Sequence, residues 1–128
     1  MELRINKGVY EVSEPEQLQT YLAQLRQIQF AEIWLRPAAE WPAICAMING
    51  EAAWVMLMRW EGDAGFSTRD PNYAGPQKGV VEYYLSNGQR DEYPASWNIT
   101  TTEALRALEY FLAEEKMAPW LQWHEERP

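Results

Sequence analysis

The chain is poor in the residues that usually carry chemistry. Its 128 residues hold one cysteine, Cys45, and one histidine, His124. A lone cysteine rules out an intramolecular disulfide framework. Neither CxxC nor HxxxH occurs, and a zinc site would need three or four ligands, so no metal and no cofactor is expected. Basic residues are also scarce: 11 Lys and Arg stand against 19 acids, a net charge of −8. Nucleic-acid binders carry a basic stripe to neutralise phosphates, so that class is set aside. No apolar run approaches the ~20 residues of a membrane span. The opening MELRINKGVYEV lacks a charged region followed by an apolar core, so no secretion signal is expected and a cytoplasmic location is.

Catalytic motifs fare no better. The glycines of GDAG and GPQKG lack phosphate-loop spacing and read as turns. Adjacent acids such as Asp91-Glu92 point to opposite faces of a strand and do not form a working pair. Cys45 with His124 is a conceivable thiol dyad, but the cysteine sits in the apolar PAICAMI, where a buried inert thiol is the ordinary case. The chain is expected not to be an enzyme.

What the sequence does hold is aromatic side chains, 13% of residues with seven tryptophans, in an otherwise ordinary globular composition. The length suits a single domain over residues 1–128. LRIN-KG-VYEV reads as an opening hairpin. Ser13 and Glu16 form a capping box ahead of a helix over 14–28, with Leu18, Tyr21, Leu22, Leu25 and Ile28 at helical spacing. From Phe30 the period becomes two, and strands at 42–48 and 52–60 join through Asn49-Gly50. A short strand follows around Phe66–Thr68, then a DPNY turn. Thr100 and Glu103 cap a last helix with a stripe of Ala104, Leu105, Ala107, Leu108, Phe111 and Leu112, and WLQWHE supplies a final strand. The order ββ-α-ββββββ-α-β predicts an α+β fold: a largely antiparallel sheet with two helices packed on one face.

Trp54, Met56, Met58 and Trp60 share a strand face and are expected to pack against a helix. Trp34, between Glu32 and Arg36, is a candidate contact residue. In VVEYYLSNGQRDEYP a two-residue turn at Asn87-Gly88 sets Tyr84 opposite Asp91 and Glu82 opposite Tyr93. That register predicts a core face of Val81, Tyr83 and Leu85. It predicts an outward acid–aromatic face of Glu82, Tyr84, Asp91 and Tyr93. The preceding loop adds Asp63, Asp70 and Tyr73. Carboxylates and tyrosines together suit a basic, hydrogen-bonding protein partner.

The ordered set GFSTRDP, VVEYYLSNGQRDEYP, ITTTEALRALEYFL and APWLQWHEE resembles an immunity-protein family of bacterial polymorphic toxin systems, the one associated with deaminase-type and other toxins. The likeness spans about residues 54–125 and extends to the first 50 only in layout. It implies a non-catalytic antidote that binds a cognate protein toxin and blocks its active site, a nucleic-acid deaminase or nuclease being among the candidate toxins. It brings no catalytic residues. Two competing readings stand beside it. One is a small-ligand-binding or enzymatic domain with an aromatic cleft formed by Trp34, Trp97 and Trp120. The other is an interaction module of another pathway.

Overall fold

Alternation of apolar and polar residues builds most of the molecule. The computed structural model describes residues 1–127. Strands β1 (Glu2–Ile5) and β2 (Gly8–Glu11) form the opening hairpin. Next come helix α1 (Pro15–Leu22) and a tight 3₁₀ turn, Ala23–Gln27. Strands β3 (Phe30–Arg36), β4 (Ala43–Asn49), β5 (Ala52–Met58) and β6 (Phe66–Arg69) follow. After β7 (Val80–Tyr84), β8 (Arg90–Pro94) and the short β9 (Ile99–Thr100) come helix α2 (Thr101–Glu114) and β10 (Gln122–Glu125). The main sheet runs β10-β6-β5-β4-β3-β1-β2, with β9 paired to β5, while β7 and β8 form a separate two-stranded ribbon. Every pairing is antiparallel. The fold is α+β, as the alternating pattern predicts.

Both helices lie on one face of the sheet. Leu18 and Leu22 of α1 and Ala104, Leu108 and Phe111 of α2 bury themselves on Ala31, Ile33, Ile44, Ala46 and Val55. Thr100 caps α2 as expected: its hydroxyl accepts from the Glu103 N–H at 3.1 Å, and the Glu103 carboxylate accepts from the Thr100 N–H at 3.2 Å.

The first helix differs from expectation at both ends. Its N-cap is Glu14, not Ser13, and the box partner is Gln17, not Glu16. The Gln17 side-chain oxygen accepts from the Glu14 and Ser13 N–H groups at 3.1 and 2.8 Å. Pro15 takes the first helical position, where its missing N–H costs nothing, and that places the cap at the residue before it. The α-helix ends at Leu22, and the 3₁₀ turn that follows leaves Ile28 outside the buried stripe, 38% exposed.

β4 is buried on both sides from Ala43 to Ile48. A strand covered twice needs a third layer, and the β7–β8 ribbon supplies it. Cys45, Met47, Trp54 and Tyr83 form a second core there. This corrects the expectation for Trp54, Met56, Met58 and Trp60: they face away from the helices. Trp54 and Met56 belong to the core beneath the ribbon, and Trp60 is 55% exposed. Period two assigned Trp54, Met56 and Met58 correctly to one face of β5, which ends before Trp60, but strand parity alone does not say which layer covers that face.

Candidate partner-binding face

The ribbon register decides which side chains can meet a partner. The Leu85 N–H donates to the Gln89 carbonyl and the Gly88 N–H to the Leu85 carbonyl, both at 2.9 Å. The loop is therefore Ser86–Asn87–Gly88, with Gly88 at φ +90°, a conformation glycine adopts without strain. The resulting pairs are Tyr84 with Arg90, Tyr83 with Asp91, Glu82 with Glu92 and Val81 with Tyr93. The expected two-residue turn was one residue too short. β7 keeps its predicted faces, but every β8 side chain changes sides.

The inward face is aromatic. Tyr83 is fully buried, and its hydroxyl donates to the Asn98 side-chain oxygen. Tyr93, expected outward, stacks on Trp54 with ring centroids 4.1 Å apart and planes 14° from parallel. Asp91 turns in beside it, accepting from the Tyr93 hydroxyl at 3.3 Å and from the Gln89 amide at 2.9 Å. Burial pushes both phenol pKa values up, so both rings stay neutral hydrogen-bond donors.

Glu82, Tyr84, Arg90 and Glu92 share the outward face. Arg90 donates to Glu82 at 2.7 Å and also pairs with Glu92, so two carboxylates share one guanidinium. Tyr84 is 37% exposed and rests edge-on against Phe30, centroids 4.8 Å apart.

Polar ties hold this ribbon to the sheet. One Glu32 carboxylate oxygen accepts from the Ser86 N–H at 3.0 Å and from the Ser86 hydroxyl at 2.9 Å; the other accepts from the Trp34 indole at 3.0 Å. Burial would raise the Glu32 pKa, but the bonds from Ser86 and Trp34 outweigh it and hold the carboxyl below its ordinary value. Asn49 adds a bond to the Glu82 carbonyl at 2.9 Å.

The remaining sequence-predicted residues scatter. Asp70 accepts from the Asn72 N–H at 2.9 Å and shapes the turn, and the Tyr73 hydroxyl donates to the Pro76 carbonyl at 2.7 Å. Their loop is fastened to the foot of the ribbon through Asp70–Ser96 and Ala95–Gly79 backbone bonds. Asp63 lies elsewhere. It is buried and accepts from the Arg59 backbone N–H, Nε and terminal nitrogen at 2.9, 2.8 and 3.1 Å. That guanidinium holds its carboxyl far below the usual range. Trp34 is half-buried at the ribbon's margin, engaged through Glu32.

Cys45 lies in the middle of β4, fully enclosed, and burial pushes its thiol well up. His124 is on β10, with β5 and β6 intervening, so the two do not meet. Among the described residues no cluster of His, Cys, Asp and Glu is placed to hold a metal ion. Trp34, Trp97 and Trp120 do not converge on one cleft. Trp97 lies under Arg69, whose guanidinium carbon is 3.9 Å from its ring centroid. Trp120 meets Tyr110 edge-on and lines an open groove of about 710 Å³ with Arg69, Asp70, Asn98 and Glu103. Sequence reasoning passed over Arg36 and Trp41, whose side chains meet beside Trp34. The signal present was Arg36 two residues after Trp34, on the same strand face.

Helices, antiparallel sheet and strapped ribbon thus define a three-layer α+β fold. The chain belongs to the family described as Immunity protein Imm1, whose family model matches residues 6–125. The match takes in residues 6–50 as well as the later motifs. Membership implies an immunity protein directed against a toxin and suggests a role without catalysis. No curated protein matches the chain. No helix among the described residues is long and apolar enough to cross a membrane.

Proposed function

We propose that this protein neutralises a cognate toxin in the cytoplasm of the cell that makes it, by binding the toxin directly and covering its active site. The observation that carries this reading is the outward face of the ribbon, where Glu82, Glu92 and Tyr84 surround the single cation Arg90. Two carboxylates against one guanidinium leave that face acidic, on a chain of net charge −8. An acidic face speeds encounter with a basic protein and selects against acidic ones. Asp70 and Tyr73 lie in the loop bonded to the ribbon's foot, and Trp34 lies at the ribbon's margin near the turn. Asp91 and Tyr93 contribute by holding the ribbon in place, and Asp63 by fixing its own loop through Arg59. The family resemblance favours a basic toxin that acts on nucleic acid, a deaminase or a nuclease.

Co-expression with the toxin domain encoded beside the gene tests the reading. Growth should be restored by the wild-type protein and not by a Glu82→Lys/Glu92→Lys variant that folds normally. No rescue and no complex with the wild type would contradict it.

A further inference from the structure

The ribbon covers only part of its side of the sheet. Beyond its turn the same face stays open, and the strand register places its residues. One row runs Arg4, Trp34, Cys45, Met56, Ser67, and the next carries Glu2, Arg36, Ala43 and Met58. Cys45, Ser67 and Ala43 are buried and Met56 packs under the ribbon, so the open part is Arg4, Glu2, Arg36 and half-buried Trp34 and Met58. Arg36 is the notable member. Its guanidinium carbon lies 5.3 Å from the Trp34 ring centroid and 5.1 Å from that of Trp41. Among the described residues no carboxylate pairs with it, as none pairs with Arg26 or Arg106, whereas Arg4, Arg59, Arg69 and Arg90 have acidic partners. Its cross-strand neighbour Glu2 is turned instead to Arg4, at 3.1 Å. A groove beside Arg36 is also lined by Glu2, Glu11 and Glu40; Glu2 pairs with Arg4, Glu11 lies 3.9 Å from the N-terminal ammonium, and Glu40 is not paired with Arg36.

A guanidinium resting on indoles spends its faces on the rings and keeps its in-plane N–H edge for an acceptor. That edge matches a carboxylate, and the stacking removes much of the freedom the side chain would otherwise lose on binding. Half-buried Trp, Arg and Met together are the composition of interface centres. The face is also continuous with the ribbon, since Ser86 bonds Glu32, Glu32 bonds Trp34, and Trp34 meets Arg36.

We propose that this open face is a second contact surface for the toxin, and that it seats an apolar segment of the toxin bearing one aspartate or glutamate on Arg36. The proposal rests on the toxin-binding reading above. It differs from that reading in chemistry: the ribbon meets cations of the partner, and this face meets an anion.

The test is calorimetric titration with the catalytically inactivated toxin domain encoded beside the gene, using wild type, Arg36→Gln and Trp41→Ala, each checked for an unchanged melting curve. Arg36→Gln is the decisive variant if Trp41→Ala fails to fold. Binding weakened ten-fold or more by Arg36→Gln, with a shallower salt dependence, is expected. A wild-type complex whose affinity changes less than three-fold in Arg36→Gln overturns the second surface and leaves the ribbon reading intact. No wild-type complex at all contradicts both.

Discussion

Tyr93 lies flat on Trp54, ring centroids 4.1 Å apart, and this contact locks the β7–β8 ribbon onto the sheet in a single register. Truncating Tyr93 removes a stacked, partly buried ring and opens a space over Trp54. Tyr93→Ala should cost about 3 kcal/mol in urea unfolding, near the low end for large aromatic truncations. Tyr84→Ala, on the outward face, should cost about 1 kcal/mol, since it loses only a partly exposed edge contact with Phe30. Equal losses would mean that the two rings share a face, as a two-residue turn would place them.

Glu32 should make the ribbon's attachment acid-sensitive. Its folded pKa lies below its ordinary 4.5, so the unfolded chain takes up this proton first as pH falls. The stability it contributes is fully present above the unfolded value and is lost as pH drops through the folded one. Glu126, held low through Ser67 and Arg69 against its own burial, acts in the same direction. Thermal melts from pH 7 to pH 3 should show falling stability below about 4.5. Glu32→Gln should cost about 1 kcal/mol at neutral pH, allowing for solvent screening, and should flatten the acid limb.

How far the sequence revealed these features depends on the kind of signal each leaves. Period-two runs and the Thr100–Glu103 box are local, and they gave the strands, the second helix and the α+β class. Which layer covers a strand face is not local. Trp54 and Met56 read as core correctly, but their cover is a ribbon about 30 residues on, not a helix. The ribbon's faces hinged on one residue of loop length: Asn87-Gly88 fits both a two-residue turn and the observed three-residue loop. The Arg36–Trp41 contact crosses a loop, and no periodicity reports it. Asp63 looked like a free surface acid because its partner Arg59 is tied to it by a turn and not by a helix.

Gly65 should not tolerate a side chain. It has φ +73°, and a Cβ there would come within 2.2 Å of the Leu57 carbonyl oxygen, backbone that cannot swing aside. Gly65→Ala should destabilise by about 2 kcal/mol or more, measured by urea unfolding. Gly50 also has positive φ but nothing within 4 Å of a Cβ, so Gly50→Ala should cost less.

Cys45 should be silent to thiol reagents in the native protein. Its side chain is 2% exposed beneath the ribbon, and burial keeps the thiol protonated. A chromogenic disulfide reagent at pH 8 should label it only as fast as the protein opens, and at once in denaturant. Prompt labelling of native protein would show that the ribbon does not cover β4.

The most direct measurement of the central claim is inhibition of the purified toxin domain encoded beside the gene, titrated with this protein on the toxin's own substrate. Activity should fall to zero at one equivalent, with affinity that weakens as salt rises and that drops in Glu82→Lys/Glu92→Lys. Full toxin activity in the presence of excess folded protein would contradict the account.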